Sequence, residues 1–600
     1  MKRKVSLFIF FAVCLLAWGN WWLARAVFAA GTTVVVNSSG DLSDLSPGDG
    51  VCDVLTSAGS QCSLRAAIEE LNALGPDTTP HRITFDIPGT GPFTITPGAE
   101  LPALTVPVII DGETQPGASC PTNSAPANLL IVLDGSSAGT AGQIDGLTLL
   151  AGSEGSTIRG LVIGNFDSAG IRILSGSITV RCNHLGVGAD GLSGMANEAG
   201  VHVGGIENTI GGQGGPAQRN VISANRIYGI SIASTGSNTR VRGNFVGTTA
   251  DGLDDLGNGI GVYINGGNNF VGGANSLAGN VISGNGNGIR VNSGTGNIVQ
   301  GNSIGVARDG STPLPNTGSG VELTGASLAN VVGGTAVTEA NIIAHNRLYG
   351  VSVYANGVGT PTQNSIRGNI IYANGGLGID LGIDGIDTND PGDADGAENE
   401  HQNYPVLTTM PGSTIVTVVL ESKPDTVYQI DAYLNDTCDP TGFGQGQEYF
   451  MTFPKQTDSQ GVLQIQFSLG GVTGRYFTAT ATDPAGNTSE FSACALLAAA
   501  PTPTATATST ATPTATATQT PTATATNTPT VTGTAPSGPS PTPTSTTLPT
   551  STPTPTGSAT AAPTGTGQPP TVPPPGATVT GTPDPAQDDA FFVYLPLVLR

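Results

Sequence analysis

The feature that most constrains this chain is a set of short phrases that return along the sequence. NVISAN at Asn220 returns as NVISGN at Asn280 and as NIIAHN at Asn341, a step of roughly 60 residues. Each step contains three related units of about 20 residues, a length typical of solenoid repeats. We therefore expect a solenoid in which one such unit forms one coil, so that a full step spans three coils.

The units share a local pattern that predicts short strands separated by sharp corners. A β-branched residue, two other residues and then Asn recur, as in the pairs Val180/Asn183, Ile222/Asn225 and Ile282/Asn285. Val and Ile alternate with polar residues in segments such as GIRVN, which indicates strands with one buried face. Gly and Asn supply the left-handed backbone that corners need. We expect the Asn side chains to form a hydrogen-bonded ladder along the stack.

These observations predict a parallel β-helix, whose coils bury Val and Ile and pair their backbones with the coils above and below. The chain also resembles the right-handed parallel β-helix family, the pectin-lyase-like superfold, over residues 32–406. The segment CSLRAAIEELNALG from Cys62 resembles the CSLREA segment that precedes such helices in secreted bacterial proteins. The resemblance implies the fold and leaves the function open, because this fold supports lyases, hydrolases, epimerases, adhesins and inert spacers.

One segment carries a helical pattern. In SLRAAIEELNALG, Ser63 can cap a helix whose Leu64, Ile68 and Leu71 share one face, and Gly75 can end it. The end of a solenoid exposes its apolar interior and needs a cap. We therefore expect this helix to close the N-terminal end of the β-helix.

The fold class expected is all-β, and composition divides the chain into six parts. A basic start followed by an apolar run and small residues predicts a signal peptide. Alternating strands after residue 407 predict an Ig-like β-sandwich, and a run of Thr, Pro and Ala predicts a disordered stalk. The expected parts are a signal peptide (1–30), an N-terminal segment with the capping helix (31–80), the β-helix (81–406), the sandwich (407–496), the linker (497–588) and a hydrophobic tail (589–600).

Charge and cysteine content limit the partners and the compartment. The formal net charge of −23 argues against nucleic acid and anionic membrane surfaces as partners. We expect a secreted or cell-surface monomer that meets a membrane only through export or anchoring. Removing the signal peptide leaves six cysteines, which allow 15 pairings. Among these we favour Cys52–Cys62 and Cys438–Cys494, with Cys120–Cys182 following by elimination.

An acidic stretch after the repeats, IDTNDPGDADG, suggests a calcium site. Calcium takes six to eight oxygen ligands, many of them from carboxylates in such loops. The expected ligands are Asp387, Asp390, Asp393 and Asp395, and calcium is the one cofactor that the sequence suggests. The alternative is a solvated acidic turn at a domain border.

Repeated polar residues in the solenoid are better explained by architecture than by catalysis. Three aspartates each precede a Gly at the same repeat position, and at three coils apart they would lie about 14 Å from one another, too far for a carboxylate pair. We read them as turn residues. Three arginines share another repeat position. The sets are Asp190, Asp251 and Asp309, and Arg181, Arg242 and Arg367.

No compact catalytic or zinc motif stands out, so we assign no catalytic residue. The remaining candidates are Asp86, Asp111 and Asp134, which follow early strands and would share a face if their coils align. The alternative is that these residues also mark turns.

Three functions stay open on the sequence alone. The regular repeats and the stalk favour a non-catalytic protein of the cell surface that presents an elongated solenoid to a polysaccharide or a cell-surface glycan. The second reading is a polysaccharide lyase or glycoside hydrolase with its site in irregular coils. The third is a structural spacer of the cell envelope.

Overall fold

The computed structural model describes residues 31–498, apart from 56–60, 124, 140–142, 411 and 471. The expected signal peptide, the hydrophobic tail and the linker beyond residue 498 lie outside the described residues. Among the described helices, none combines the length and the apolar character that crossing a membrane requires.

Three long parallel sheets form most of the described chain, and we number their strands along the sequence. The first sheet contains β1 (Thr33–Val36), β2 (His81–Phe85), β4 (Val108–Asp111), β7 (Thr157–Arg159), β10 (Thr179–Arg181), β13 (Thr209–Gly211), β16 (Arg240–Arg242), β19 (Phe270–Gly272), β22 (Ile298–Gln300), β25 (Val331–Gly333) and β28 (Ser365–Arg367). The second contains β3 (Phe93–Ile95), β5 (Ile131–Asp134), β8 (Leu161–Gly164), β11 (His184–Leu185), β14 (Val221–Ile222), β17 (Phe245–Val246), β20 (Val281–Ile282), β23 (Ser303–Ile304), β26 (Ile342–Ala344) and β29 (Ile370–Tyr372). The third contains β6 (Leu147–Leu149), β9 (Ala169–Ile173), β12 (Ala199–Val203), β15 (Tyr228–Ile232), β18 (Ile260–Ile264), β21 (Asn287–Asn292), β24 (Val321–Thr324), β27 (Val351–Tyr354) and β30 (Ile379–Leu381).

The chain visits the three sheets in turn, which is the winding of a parallel β-helix and confirms the expected fold class. The predicted coil length is wrong, however. Successive strands of the first sheet begin at Thr209, Arg240 and Phe270, so one coil takes about 30 residues rather than 20. The strands that follow Asn220 and Asn280 are β14 and β20, and β17 lies between them. The 60-residue step therefore spans two coils and not three.

The expected asparagine ladder is present, and each of the three corners of the coil has one. In each ladder a side-chain amide donates to the amide oxygen of the asparagine one coil further on. The corner between the first and second sheets holds Asn183, Asn220, Asn244, Asn280, Asn302, Asn341 and Asn369. The corner between the second and third sheets holds Asn197, Asn225, Asn258, Asn285, Asn316, Asn346 and Asn374. The third corner holds Asn269, Asn297, Asn330 and Asn364.

The predicted helix, α1 (Leu64–Leu74), closes the N-terminal end of the solenoid. The Ser63 hydroxyl accepts a hydrogen bond from the Ala66 amide, and Gly75 ends the helix with φ 77°. The apolar face packs on the first coils, with Ile68 fully buried in the same cluster as Val36 and Phe85. Burial of this face keeps water from the first coil, as expected of a cap.

The later strands form a small antiparallel β-sandwich with its own apolar core. One sheet contains β31 (Val406–Thr409), β32 (Ile415–Glu421) and β35 (Val462–Ser468). The other contains β34 (Glu448–Gln456), β33 (Val427–Asn435), β36 (Tyr476–Thr482) and β37 (Ala495–Leu496). Short 3-10 turns occur at Gly112–Thr114, Gly135–Ser137, Pro216–Gln218 and Glu398–His401.

This sandwich closes the C-terminal end of the β-helix, a role that the sequence did not suggest. Tyr433 and Phe491 belong to the apolar cluster that fills the solenoid. Gln445 extends one asparagine ladder, because its Oε1 accepts from Asn374 Nδ2 at 3.2 Å. Asn399, in the segment before the sandwich, extends another ladder, since its Oδ1 accepts from the Asn364 amide at 3.0 Å. The last coil is thus capped by groups that copy the hydrogen bonds of a further coil.

The structure confirms the favoured disulfide pairing. Bonds join Cys52 to Cys62, Cys120 to Cys182 and Cys438 to Cys494. Such bonds persist in oxidising compartments, so they are compatible with an extracellular protein.

Candidate functional site

The three aspartates considered for catalysis do not share a face. Asp111 ends β4 in the first sheet, and Asp86 is exposed just after the neighbouring β2. Asp134 ends β5, which belongs to the second sheet. Its Oδ1 accepts hydrogen bonds from the Ser136 amide and from Asn165 Nδ2, which are the contacts of a turn residue.

Asp111 serves as a buried counter-ion. The residue is fully buried, and its Oδ2 lies 2.6 Å from Arg159 Nη2 and 3.1 Å from Arg82 Nη2. Arg159 also reaches Glu113, at 3.1 Å. The acidic and basic groups at this end of the first sheet therefore neutralise one another.

Further along the same sheet lies an open groove that we call the arginine groove. It has a volume of about 470 Å³. Its lining consists of threonines, glycines, glutamines and arginines, and contains no carboxylate. The lining residues are Thr157, Thr179, Arg181, Thr209, Gly211, Gly212, Gln213, Gln218, Arg240 and Arg242.

Strand register explains how the groove forms. Thr157, Thr179 and Thr209 are successive partners on β7, β10 and β13, so their hydroxyls form one outward row. The adjacent outward row carries Arg181 on β10 and Arg242 on β16. These two strands flank β13, so the arginines are two strand spacings, about 9–10 Å, apart at the backbone.

Glycine creates the gap between the two arginines. Gly211 occupies the intervening position of the row, with φ 85°. A Cβ there would lie 2.0 Å from the carbonyl oxygen of Arg242. Gly212, the next residue, would place a Cβ 2.0 Å from Gln218 Oε1. A larger residue at Gly211 would displace the backbone of the groove wall, whereas at Gly212 the flexible Gln218 side chain would have to move.

The arginine groove carries positive charge without an acidic partner. Arg181 and Arg242 are half-buried, and burial lowers the pKa of both guanidinium groups. The charge of Arg159 lowers the pKa of Arg181 further, and the charges of Glu113 and Asp111 oppose this effect. The charge of Arg240 lowers the pKa of Arg242. Among the described residues, neither Arg181 nor Arg242 forms an ion pair. A bound anion would relieve this repulsion.

The third arginine of the repeat set has a structural role. Arg367, on β28, makes a bidentate contact with Asp431 of the sandwich, with both N–O distances at 2.8 Å. The three repeated aspartates are turn residues as expected. Their Oδ1 atoms accept backbone amide hydrogen bonds from residues two or three positions later, at Asp190, Asp251 and Asp309.

The structure places three of the four expected calcium ligands together. Asp390, Asp393 and Asp395 offer oxygens that all lie within 4.8 Å of one another. Asp393 is buried, and its two oxygens accept from the Asn403 amide and from Ser422 Oγ. Asp387 lies apart from this group, and its Oδ2 is 4.0 Å from His401 Nε2. These carboxylates could hold a hard cation, and calcium binding stays a prediction.

His184 gives a prediction about acid stability. It is buried, its Nδ1 lies 2.9 Å from the Gly188 carbonyl oxygen, and burial lowers its pKa. The unfolded chain takes up a proton near pH 6.5 that the folded chain resists, so stability is complete above that pH and falls below it. His184 can lower the free energy of unfolding by at most about 1.4 kcal/mol for each pH unit below 6.5. Phe245 holds the equivalent register position two strands along.

We therefore expect His184→Phe to flatten the loss of stability between pH 6.5 and pH 5, measured by urea unfolding. At pH 8 His184 is neutral in both states, so the offset between parent and variant there isolates the packing change. Parallel pH profiles for the two proteins would assign the acid sensitivity to another group.

Comparisons with known proteins found no matching family model and no matching curated protein. Several solved structures are similar. The enzymatically active domain of tailspike protein 2 of bacteriophage CBA120 has 13% identity and a TM-score of 0.26, covering 76% of each chain. The A-module of a mannuronan C-5 epimerase from Azotobacter vinelandii has 16% identity and a TM-score of 0.26, covering 59% of this chain and 90% of that chain. A pectate lyase has 16% identity and a TM-score of 0.18, covering 57% and 81%.

Because these scores are low, the fold assignment rests on the strand pairing of the chain itself. The three sheets contain eleven, ten and nine described strands, all joined in parallel. The chain is therefore a three-sheeted parallel β-helix, the architecture that its resemblance to the pectin-lyase-like superfold implies.

Proposed function

We propose that this protein is an extracellular β-helix that binds an acidic polysaccharide in the arginine groove. The observation that carries the proposal is the pair Arg181 and Arg242, two half-buried guanidinium groups without acidic partners in a chain of net charge −23. Guanidinium groups bind carboxylate and sulfate groups through paired, charge-assisted hydrogen bonds. The row of threonine hydroxyls beside them offers hydrogen bonds to sugar hydroxyls.

The lining of the groove favours binding over hydrolysis by a pair of carboxyl groups. A glycosidase needs a pair of carboxyl groups at the scissile bond, and the lining of the arginine groove provides hydroxyl, amide and guanidinium groups instead. The spacing of the two arginines along the stack would allow them to meet two charged sugars of one polymer. Export by the expected signal peptide would bring the groove to such polymers.

Removing the two arginines should test this function. We expect Arg181→Gln and Arg242→Gln each to weaken binding to polygalacturonate or alginate about tenfold, because a hydrogen bond to a charged group contributes roughly 1.5–3 kcal/mol. Binding should be measured by calorimetry at two salt concentrations, and it should be weaker at the higher one. A neutral glucan should bind to neither parent nor variants.

Arg347 provides the matched control, because it is exposed and follows β26 at the corner between the second and third sheets. Arg347→Gln removes the same charge and should leave affinity within about twofold. Equal weakening by all three substitutions would show a general charge effect and contradict a groove. Release of new reducing ends or unsaturated sugars by the parent would replace binding with catalysis.

A further inference from the structure

Asp380 is a fully buried carboxylate without a hydrogen bond of ordinary geometry. It lies in β30, the last strand of the third sheet, where Ile379 and Leu381 point into the solenoid and Asp380 points outward. Its exposure is 0%, and neither carboxylate oxygen makes a hydrogen bond of ordinary geometry, although the backbone amides of Ile383 and Gly385 lie near it. Burial raises its pKa to about 7, although the nearby backbone amides of Ile383 and Gly385 oppose the shift. A carboxylate isolated in this way is costly to ionise, so it is stabilised either by protonation or by a nearby cation.

A second buried carboxyl group reaches the same place from the sandwich. Glu490 is 2% exposed, and its two oxygens accept from the amides of Leu381 and Asp387, each at 3.1 Å. Burial raises its pKa to about 8, and the charges of Asp387 and Asp380 act in the same direction. Glu490 therefore contacts the end of the last coil, although the two are more than 100 residues apart in the sequence.

The loop after β30 adds two further carboxylates, Asp384 and Asp387, to Asp380 and Glu490, and we call these four residues the acidic cluster. Asp387 Oδ2 is buried and makes no hydrogen bond, and Asp384 adds a further negative charge beside Asp380. The loop is held in an uncommon backbone conformation, because Ile383 has φ 60°. A β-branched residue is rarely found there, and such strain persists at positions that the surrounding structure or a function requires.

Few basic side chains lie near this acidic cluster. In the part of the chain that the structure describes, Asp380, Asp387 and Glu490 form no ion pair with arginine or lysine. His401 is the basic group that approaches, 4.0 Å from Asp387 Oδ2, and it also lies 3.2 Å from Glu398 Oε2. Buried carboxyl groups from two separate elements thus lie close enough for their charges to interact, and His401 is the basic side chain that partly compensates them.

We propose that Asp380, Asp387 and Glu490 bind a divalent cation with calcium chemistry, which fastens the last coil of the β-helix to the sandwich. Calcium suits the site because it accepts six to eight oxygens in flexible geometry, including backbone carbonyls and water. The residues of this site differ from the group of Asp390, Asp393 and Asp395, whose oxygens already lie within 4.8 Å. His401 lies between the two groups, 4.0 Å from Asp387 Oδ2 and 3.9 Å from Asp395 Oδ2. At the Asp380 site, the Asp384 and Asp387 side chains would turn inward to complete the coordination. The inference does not depend on polysaccharide binding.

Calcium titration of the full chain tests the proposal. After dialysis against EDTA at pH 8, we expect calorimetry to detect one calcium ion bound to the parent. Asp380→Asn and Glu490→Gln should each lower the affinity for this ion at least tenfold. At saturating CaCl₂ the parent should gain about 3 °C in Tm, and MgCl₂ should give less. Without calcium, Asp380→Asn should be at least as stable as the parent, because the amide removes a buried charge. A purely structural role of Asp380 would give no such dependence on calcium.

Asp395→Asn is the control, because Asp395 is an exposed member of the other acidic group. It should leave the calcium response of the Asp380 site intact. A response that disappears in Asp395→Asn and survives in Asp380→Asn would overturn the proposal and assign the ion to the neighbouring group. A parent that binds no calcium would overturn it as well. In both cases polysaccharide binding by the arginine groove could still be observed, so the two proposals fail independently.

Discussion

Replacing Asn285 with leucine is expected to lower the free energy of unfolding by about 4 kcal/mol. The Asn285 side chain donates to the Val246 carbonyl at 3.0 Å and to Asn316 Oδ1 at 3.1 Å. Its own Oδ1 accepts from the Asn258 amide and from Asn258 Nδ2. Leucine would leave these buried groups without partners, and each such group costs roughly 1–3 kcal/mol.

Asn275 is the matched control for this ladder position. It is exposed, and its Oδ1 accepts from the Leu277 amide within a surface turn. Asn275→Ala should change stability by less than about 0.5 kcal/mol. Both variants should be followed by urea unfolding, where a smaller m-value in Asn285→Leu would show that part of the solenoid unfolds separately. If Asn285→Leu matched the control, the ladder would contribute little to stability.

Breaking the ion pair between Arg367 and Asp431 is expected to cost about 3–5 kcal/mol and to separate the sandwich from the last coil. Asp431 is fully buried, and Arg367 Nη2 also donates to Thr452 Oγ1 at 2.8 Å. Arg367→Met would leave the Asp431 charge uncompensated, and removing one partner of a buried pair is strongly destabilising. We expect calorimetry to show the sandwich melting before the solenoid.

Combining Arg367→Met with Asp431→Leu should recover much of this loss, because an apolar pair no longer buries a lone charge. For comparison, half-buried Arg475 pairs with the exposed carboxylates of Glu448 and Asp436, and Arg475→Met should cost less than about 1 kcal/mol. A single cooperative transition in Arg367→Met, at the parent's temperature, would mean that other contacts hold the sandwich in place.

The fold could be predicted from the sequence because strand pattern, corner residues and capping helix all pointed to the same architecture. The coil length could not, and the reason is physical. The phrase of a β-branched residue, two others and Asn marks two different corners. Asn183 and Asn244 lie at the corner after the first sheet, whereas Asn225 and Asn285 lie at the corner after the second. One phrase at two corners suggested more coils than the chain forms.

The candidate sites depended on contacts that no local pattern reveals. The sequence shows that Arg181 and Arg242 share a repeat position. The prediction of three coils for each 60-residue step, however, placed them further apart than they are in the structure. Nothing near Asp380 in the sequence indicated its burial, because Glu490, which binds the amide of the next residue, Leu381, comes about 110 residues later. Long-range partners of this kind follow from how the sandwich meets the solenoid, which a single sequence does not specify.

The ladders also determine how such a molecule can change in length. Asn220 and Asn280 occupy equivalent places two coils apart. The side-chain amide of each donates to a carbonyl oxygen of the preceding coil and to the asparagine of the following coil. A segment cut or duplicated between two such places would rejoin matching surfaces, while both end caps would meet the coils they already fit. The length of the solenoid is thus adjustable in increments of two coils, about 9–10 Å each. Gain or loss of coils during evolution would change the distance between the two ends of the solenoid without changes to either end cap.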